Sequence, residues 1–226
     1  MNFSNKNRKD YCKLYSGMLF GAFYEISYFN CLKNKFLQRK MKEIIQSHIE
    51  FSDDSYDLLL NTATEKVVRK NQLIFHPDKS CNKILFLRNG LLRAYRLMDG
   101  KEYTHHFYFP DWFATDFNSF LKDEPSQVYI EAIEDSDYLE FKKQDLLKLY
   151  YKSHQLESLG RIIAEQAYLA TVEKFASLQL HNLTEKYQLL MKTNPALLQK
   201  VPQKYIASYL GVSEQSLSRI KKQPIS

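Results

Sequence analysis

The sequence predicts an α+β protein: a small antiparallel β-roll, then a long helix, then a C-terminal helix-turn-helix. Three observations carry this. Between residues 65 and 141, short β-rich stretches alternate with turn dipeptides, the pattern of a β-sandwich or barrel. Over residues 156–178, apolar residues recur three and four apart, the spacing of one helical face. Near the C-terminus, two short amphipathic segments meet at Gly211-Val212-Ser213.

Composition agrees with a packed protein. Aromatic residues make up 14% of the 226 positions, and disordered chains are poor in them. The net charge of +6 is unevenly spread. Residues 1–40 carry eight Lys/Arg against two Asp/Glu, residues 41–152 fifteen against nineteen, residues 153–180 two against three, and residues 181–226 seven against two. A basic C-terminal block of this size suits a small nucleic-acid-binding domain. The boundaries follow: an extension over 1–40, the β-roll over 41–150, the long helix over 151–180 and the helix-turn-helix over 181–226. Cys12, Cys31 and Cys81 are far apart and form no CxxC pair. Neither a zinc ribbon nor a disulfide framework is expected, and a reducing cytoplasm fits.

The extension holds an apolar run over 17–32 behind Lys6, Arg8, Lys9 and Lys13, which has the look of a signal peptide or anchor. The run is shorter than a membrane span, contains Glu25 and lacks a small-x-small cleavage pattern. An amphipathic extension is therefore favoured and no membrane role is expected. Met41 offers an alternative translation start.

Ile44, Ile45, Ile49 and Leu58–Leu60 place one or two short helices over 41–62. Strands are expected over 65–69, 73–75, 84–87, 91–98, 103–109, 128–133 and 138–141, with Asn89-Gly90 and Asp99-Gly100 as hairpin turns. A short helix is expected over 142–151. In the long helix, Leu156, Leu159, Ile163, Gln166, Leu169, Val172, Phe175 and Leu178 form an apolar stripe. Such a face either packs on its own β-roll or pairs across a two-fold axis. Its position between a β domain and a basic domain favours a homodimer helix, with Leu156, Leu159, Ile163, Gln166, Leu169 and Val172 as the interface.

In the basic block, Thr184 is placed to cap a helix over 184–191, and residues 194–202 to hold a turn or short strands. Pro202 suits a first helical turn. Ile206 and Leu210 face inward, Ala207 permits a close crossing, and Gly211 can end the helix in a left-handed conformation. Ser213 can cap the next helix, on which Leu217 and Ile220 point inward. This is helix-turn-helix spacing. The outer residues then have chemical roles on double-stranded DNA. Gln215 suits adenine, Arg219 guanine or a phosphate, and Glu214 cytosine. Ser213, Ser216, Ser218, Lys221 and Lys222 suit the backbone, as do Gln203 and Lys204 on the first helix. The bland alternative is a helical hairpin with a solvated polar face.

The run Ile206-Ala207-Ser208-Tyr209-Leu210-Gly211-Val212-Ser213 followed by Leu217-Ser218-Arg219-Ile220 resembles the Crp/Fnr family of bacterial transcriptional regulators, and most of all its divergent branch common in Bacteroidetes. Residues 84–90 and 130–136 extend the resemblance over about 41–226. It implies a cyclic-nucleotide-binding-like β-roll, a dimerisation helix and a winged helix-turn-helix, acting on palindromic DNA, with RNA polymerase as a further partner. Glu214 and Gln215 stand where the family commonly has Arg and Glu, so the preferred site is expected to differ. With six residues after Ile220, strands of a wing are expected before the helix-turn-helix.

The family's phosphate cassette uses a Glu for the ribose and an Arg for the cyclic phosphate. The matching region here is 112–128, and no Arg lies between Arg96 and Arg161. A cyclic phosphate buried without that cation would be poorly compensated, so cyclic AMP or cyclic GMP is not expected. Phe113, Thr115, Asp116, Ser126 and Gln127 remain candidates to line a pocket for some other small effector. No cofactor and no metal are expected. His105-His106 sit on a strand, where neighbours face opposite sides unless a bulge intervenes. No nucleophile–base set, phosphate loop or HExxH motif points to an enzyme, and a cupin-like isomerase or dioxygenase would need clustered inward histidines. The alternative to a regulator is a ligand-sensing or protein-interaction module with little sequence-specific DNA binding.

Overall fold

In the chain, residues 40–46 are helical (α1), and Ser52 caps α2 (Asp53–Leu60) by accepting the Ser55 N–H. The computed structural model describes residues 40–222. The basic extension, Cys12 and Cys31 therefore lie outside the described residues, as does the side chain of Leu178.

Eight strands follow: β1 (Thr64–Val68), β2 (Leu73–Phe75), β3 (Lys83–Asn89), β4 (Leu92–Met98), β5 (Lys101–Tyr108), β6 (Phe113–Ala114), β7 (Tyr129–Ala132) and β8 (Ser136–Lys142). They form two antiparallel sheets ordered β1-β8-β3-β6 and β2-β7-β4-β5. Of the two expected hairpin turns, Asp99-Gly100 joins the paired β4 and β5, whereas Asn89-Gly90 carries the chain from one sheet to the other, because β3 and β4 are not paired. Asp99 and Gly100 both have positive φ (51° and 74°), as a two-residue hairpin turn of this kind requires. Helix α3 (Phe117–Lys122) is inserted between β6 and β7.

Strand β3 is buried from Ile84 to Arg88 rather than on alternate residues. Helices cover its outer side: Ile84, Phe113 and Phe141 line a small apolar cavity with Leu59, Leu146, Leu156 and Leu159. A strand covered on both faces reads as a continuous apolar run, which is why residues 84–87 carry no alternation.

Helices α4 (Lys143–Tyr150) and α5 (His154–Leu180) match the expected short and long helices. The C-terminal part departs from expectation. Thr184 is not the cap: Asn182 accepts the Glu185 N–H and Glu185 returns a bond from the Asn182 N–H, so α6 (Leu183–Thr193) starts at a capping box. Residues 195–200 are helix α7 (Pro195–Lys200), not a turn with short strands, because Asn194 caps Leu197 N–H and Pro195 opens the first turn. Helices α8 (Gln203–Leu210) and α9 (Glu214–Lys221) are the last elements among the described residues. Among the described residues after 180 there is no strand, so the expected wing is absent from them.

Gly90 shows how tightly the roll is closed. Its φ is +98°, and a Cβ there would fall 2.7 Å from Ser136 Cα. Ser136 holds this corner by accepting the Leu91 N–H at 3.2 Å. A Gly90→Ala variant is expected to lose about 2 kcal/mol or more of stability, measured as a lower urea midpoint. An unchanged midpoint would contradict the steric account.

Candidate nucleic-acid interface

The two helices expected to meet DNA are built by local chemistry. Gly211, at φ 73°, ends α8, and the Val212 N–H returns to the Ala207 carbonyl at 3.0 Å. Ser213 accepts the Ser216 N–H at 3.2 Å and so caps α9. Leu217 is wholly buried, with Ile206, Ala207 and Leu210 around it and Val212 and Ile220 against them. Burying Leu217 fixes the opposite face of α9 outward. Gln215, Arg219 and Lys222 occupy that face at helical spacing and are exposed, as are Ser213, Glu214, Lys221 and Lys204. Gln203, Ser216 and Ser218 are half-buried. Two of these have local partners: Ser216 shares a hydroxyl contact with Ser213 at 3.0 Å, and Gln203 Oε1 accepts from Lys221 Nζ at 3.5 Å.

Sequence reasoning missed the contact between this unit and the β-roll. Leu91, Phe107 and Ile133 of the roll share one apolar core with Tyr187, Leu190, Leu197, Val201 and the residues around Leu217. At its margin Arg93, from β4, has no exposed surface. Its guanidinium lies 4.1 Å from the Tyr95 ring centroid and 3.7 Å from that of Tyr205 on α8. It pairs with Glu102 and lies 3.3 Å from Glu131. Burial pushes the Glu131 carboxyl up, while Arg93 pulls it back down. Ser208 accepts the Thr104 N–H at 2.9 Å and donates to the Glu102 carbonyl at 2.7 Å. Lys174 of α5 donates to the His105 carbonyl and lies 4.4 Å from the Tyr209 ring; burial lowers its ammonium to about 8.

The long helix divides in two. Leu156 and Leu159 are buried, and with Ile163 they line the cavity against their own roll. These three expected interface positions are therefore taken by the chain itself, and Gln166 is exposed and polar. The apolar surface left open lies further along: Tyr168 (68% exposed), Leu169 (50%), Val172 (44%) and Phe175 (61%).

The expected effector residues come together only in part. Asp116 caps α3 through Ser119 and accepts the Ser126 hydroxyl at 2.7 Å. Thr115 donates to the Lys83 carbonyl at 2.9 Å, and Tyr108 donates to the Thr115 carbonyl. Thr115, Asp116 and Ser126 are buried and bonded within the protein, Gln127 is exposed, and Phe113 packs at 5.1 Å from Phe86.

The histidine pair does sit at a bulge. Ala94 faces His106 and Tyr95 faces Thr104, so His105 is the extra residue. Even so, among the described residues no group of three His, Cys, Asp or Glu could hold a metal, and no helix is long and apolar enough to cross a membrane.

Residues 65–153 match the family model of the cyclic nucleotide-binding domain. FixK2 from Bradyrhizobium japonicum is similar in fold, at TM-score 0.60 and 23% identity over 71% of this chain and 83% of its own. A protein from Eubacterium rectale, assigned to the transcriptional regulators of the Crp/Fnr family, is similar at TM-score 0.60 and 18% identity over 75% of this chain and 82% of its own. The c-di-GMP-responsive regulator CLP of Xanthomonas campestris is similar at TM-score 0.60 and 15% identity over 76% and 90%. No curated protein matches the sequence. The chain thus has a cyclic-nucleotide-binding-like β-roll followed by C-terminal helices, the general architecture of Crp/Fnr regulators.

The bulge histidines give this surface a pH dependence. Burial, with Lys174 nearby, lowers His105 from 6.5 to about 4 and His106 to about 3. Unfolded histidines take up a proton near 6.5, whereas these stay neutral in the fold. Their contribution to stability is thus present above pH 6.5 and is lost as pH falls from 6.5 toward 4 and 3. Urea midpoints should fall over that window, and less steeply in a His105→Gln, His106→Phe variant. Equal slopes in both proteins would remove the histidines as the cause.

Proposed function

We propose that the protein is a DNA-binding transcriptional regulator of the Crp/Fnr type, acting as a homodimer on palindromic DNA without a classical cyclic-nucleotide effector. The observation that carries this reading is helix α9. It has one wholly buried anchor, Leu217, and an opposite face on which Gln215, Arg219 and Lys222 are exposed. A solvated hairpin does not require this arrangement, and a major-groove reader does: amide and guanidinium groups to reach base edges, cations for phosphates. The excess of basic residues over 181–226, seven against two, supports a polyanionic partner. The recognition-helix sequence favours the Bacteroidetes-type branch.

A second copy of the chain is the partner we assign to the open face of α5. Tyr168, Leu169, Val172 and Phe175 fall on one side at intervals that suit a helix pair. Two recognition helices about 34 Å apart would then read successive major grooves.

Any effector of the roll would differ from a cyclic nucleotide. The roll's two buried arginines already face carboxylates: Arg88 pairs with Glu65 and Asp137, and Arg93 with Glu102 and Glu131. The loop over 115–128 offers no arginine, and its buried acid, Asp116, is held by Ser126. The roll is assigned the role of biasing the pose of the DNA-binding helices. Contact with RNA polymerase would decide activation or repression.

Selection of random duplex DNA with the purified protein at fixed salt is expected to enrich a palindrome. Arg219→Ala should then lose about 1–3 kcal/mol of specific binding and relax one base position, and Lys222→Ala should lower the salt slope by about one. No enrichment, with or without cell extract, would leave the protein-interaction or ligand-sensing reading in its place. Phe175→Glu should yield a folded monomer in sedimentation, with an unchanged far-UV circular dichroism spectrum, because Phe175 is 61% exposed in the single chain. A dimer that survives it would remove the α5 face as the interface.

A further inference from the structure

The apolar cavity behind β3 lies between the outer face of its sheet and helices α4 and α5. Ile84, Phe113 and Phe141 line it from the sheet, and Leu156, Leu159 and Ile163 line it from α5. Phe113 is thus the expected effector residue that reaches a cavity, whereas Thr115, Asp116, Ser126 and Gln127 do not line this one. No charged side chain lines it. The space is narrow, about 20 Å³, and partly open to solvent. That width admits one water-sized or methyl-sized group at a time. Water needs two or more polar partners to settle in such a place, and the lining does not supply them.

One polar side chain interrupts the lining. Tyr150 of α4 lies against Gly160 of α5, and a Cβ at Gly160 would fall 2.5 Å from the Tyr150 hydroxyl oxygen. Glycine inside a helix weakens it relative to alanine, and here the close passage of the phenol requires it. Tyr150 and Gly160 both line the cavity, so the hydroxyl is held at its wall. No described residue hydrogen-bonds to that hydroxyl, and burial pushes the phenol up. An apolar hollow with one unengaged polar group is the usual composition of a small-molecule site.

We infer that the cavity between the outer face of β3 and helices α4 and α5 binds a short, unbranched, neutral aliphatic molecule whose single oxygen meets the Tyr150 hydroxyl. The narrow space selects an unbranched chain, its end inserted among Ile84, Phe113 and Leu159 and its remainder in the open part. The uncharged lining selects a neutral alcohol or carbonyl compound, since a carboxylate desolvated there would have no cation to compensate it. The site lies outside the roll, on the opposite side of β3 from the roll interior. It stands apart from the DNA-binding reading, and its test uses no DNA.

The experiment titrates 1-hexanol into the full chain and follows methyl resonances of Ile84, Leu159 and Ile163 by NMR, with Ile130 in the other sheet as reference. Saturable shifts at the three cavity methyls are expected, half-complete at about 1 mM or below, while Ile130 holds. Ile163 is half-buried, so Ile163→Trp can block the space; Ile163→Phe serves the same purpose should that variant fold poorly. Either should abolish the saturable shifts. Tyr150→Phe keeps the ring and removes the hydroxyl, and should raise the half-saturating concentration by roughly fivefold. Shifts that stay linear in hexanol, that appear equally at Ile130, or that survive the blocking variants overturn the site. Equal affinity in Tyr150→Phe overturns the assigned class of ligand. Each of these failures leaves the regulator reading standing, because selection of duplex DNA tests that separately.

Discussion

A sheet edge carries N–H and C=O groups that demand partners, and the free edge of β5 is the point at which the β-roll and the C-terminal helices become one structure. Natural sheets cover such edges with a strand, a charge or a helix. Here a helix does it, through the hydroxyl of Ser208, and the apolar residues around it follow. Phe107 packs against Tyr209 at 5.5 Å, and Leu91 and Ile133 join the core that buries Ile206, Ala207 and Leu217. Because Leu217 is held there, α9 has only one rotation open to it. The orientation of Gln215 and Arg219 thus depends on contacts made by the helix that precedes theirs.

The long helix obeys a related economy of surface. Its first turns are needed to cover β3 and β8, whose outer faces would otherwise expose Ile84 and Phe141. That requirement ends near Ile163, where the helix runs past the sheet. Beyond it the apolar stripe continues, and none of the described residues covers it apart from the side that carries Lys174 to His105 and Tyr209. One helix therefore serves two surfaces in succession. The second is available to another copy only because the first is already satisfied.

What the sequence made legible was local. The Gly211 turn, the Ser213 cap, the Asp99-Gly100 hairpin and the lengths of α4 and α5 depend on a few adjacent residues, and each lies where expected. Two local misreadings had local causes. Asn182 outcompetes Thr184 because Glu185 completes a capping box three residues on, and Asn194-Pro195 starts a helix where it had been taken for an interruption. Periodicity shows that an apolar stripe exists, not which part of it the roll consumes, so Leu156, Leu159 and Ile163, expected to face a second copy, pack on the roll instead. The Arg93 contact was invisible for a stronger reason. Thr104 and Ser208 are 104 residues apart, and nothing in either neighbourhood signals the other.

The same distinction bears on the effector. The loop over 115–128 lies within the match to the cyclic nucleotide-binding domain, and its polar atoms are turned to internal work. Asp116 caps α3 and receives Ser126, Ser126 receives the Val128 N–H, and Ser119 donates to the Glu124 carbonyl. Lys143, donating to the Phe120 carbonyl and pairing with Asp123, ties the loop to α4. A ligand entering there would have to replace several satisfied hydrogen bonds, each with its own desolvation penalty. At the Arg93 margin fewer polar atoms are committed: Arg93 Nε, Thr104 Oγ1 and His105 Nε2 are buried without a hydrogen-bond partner.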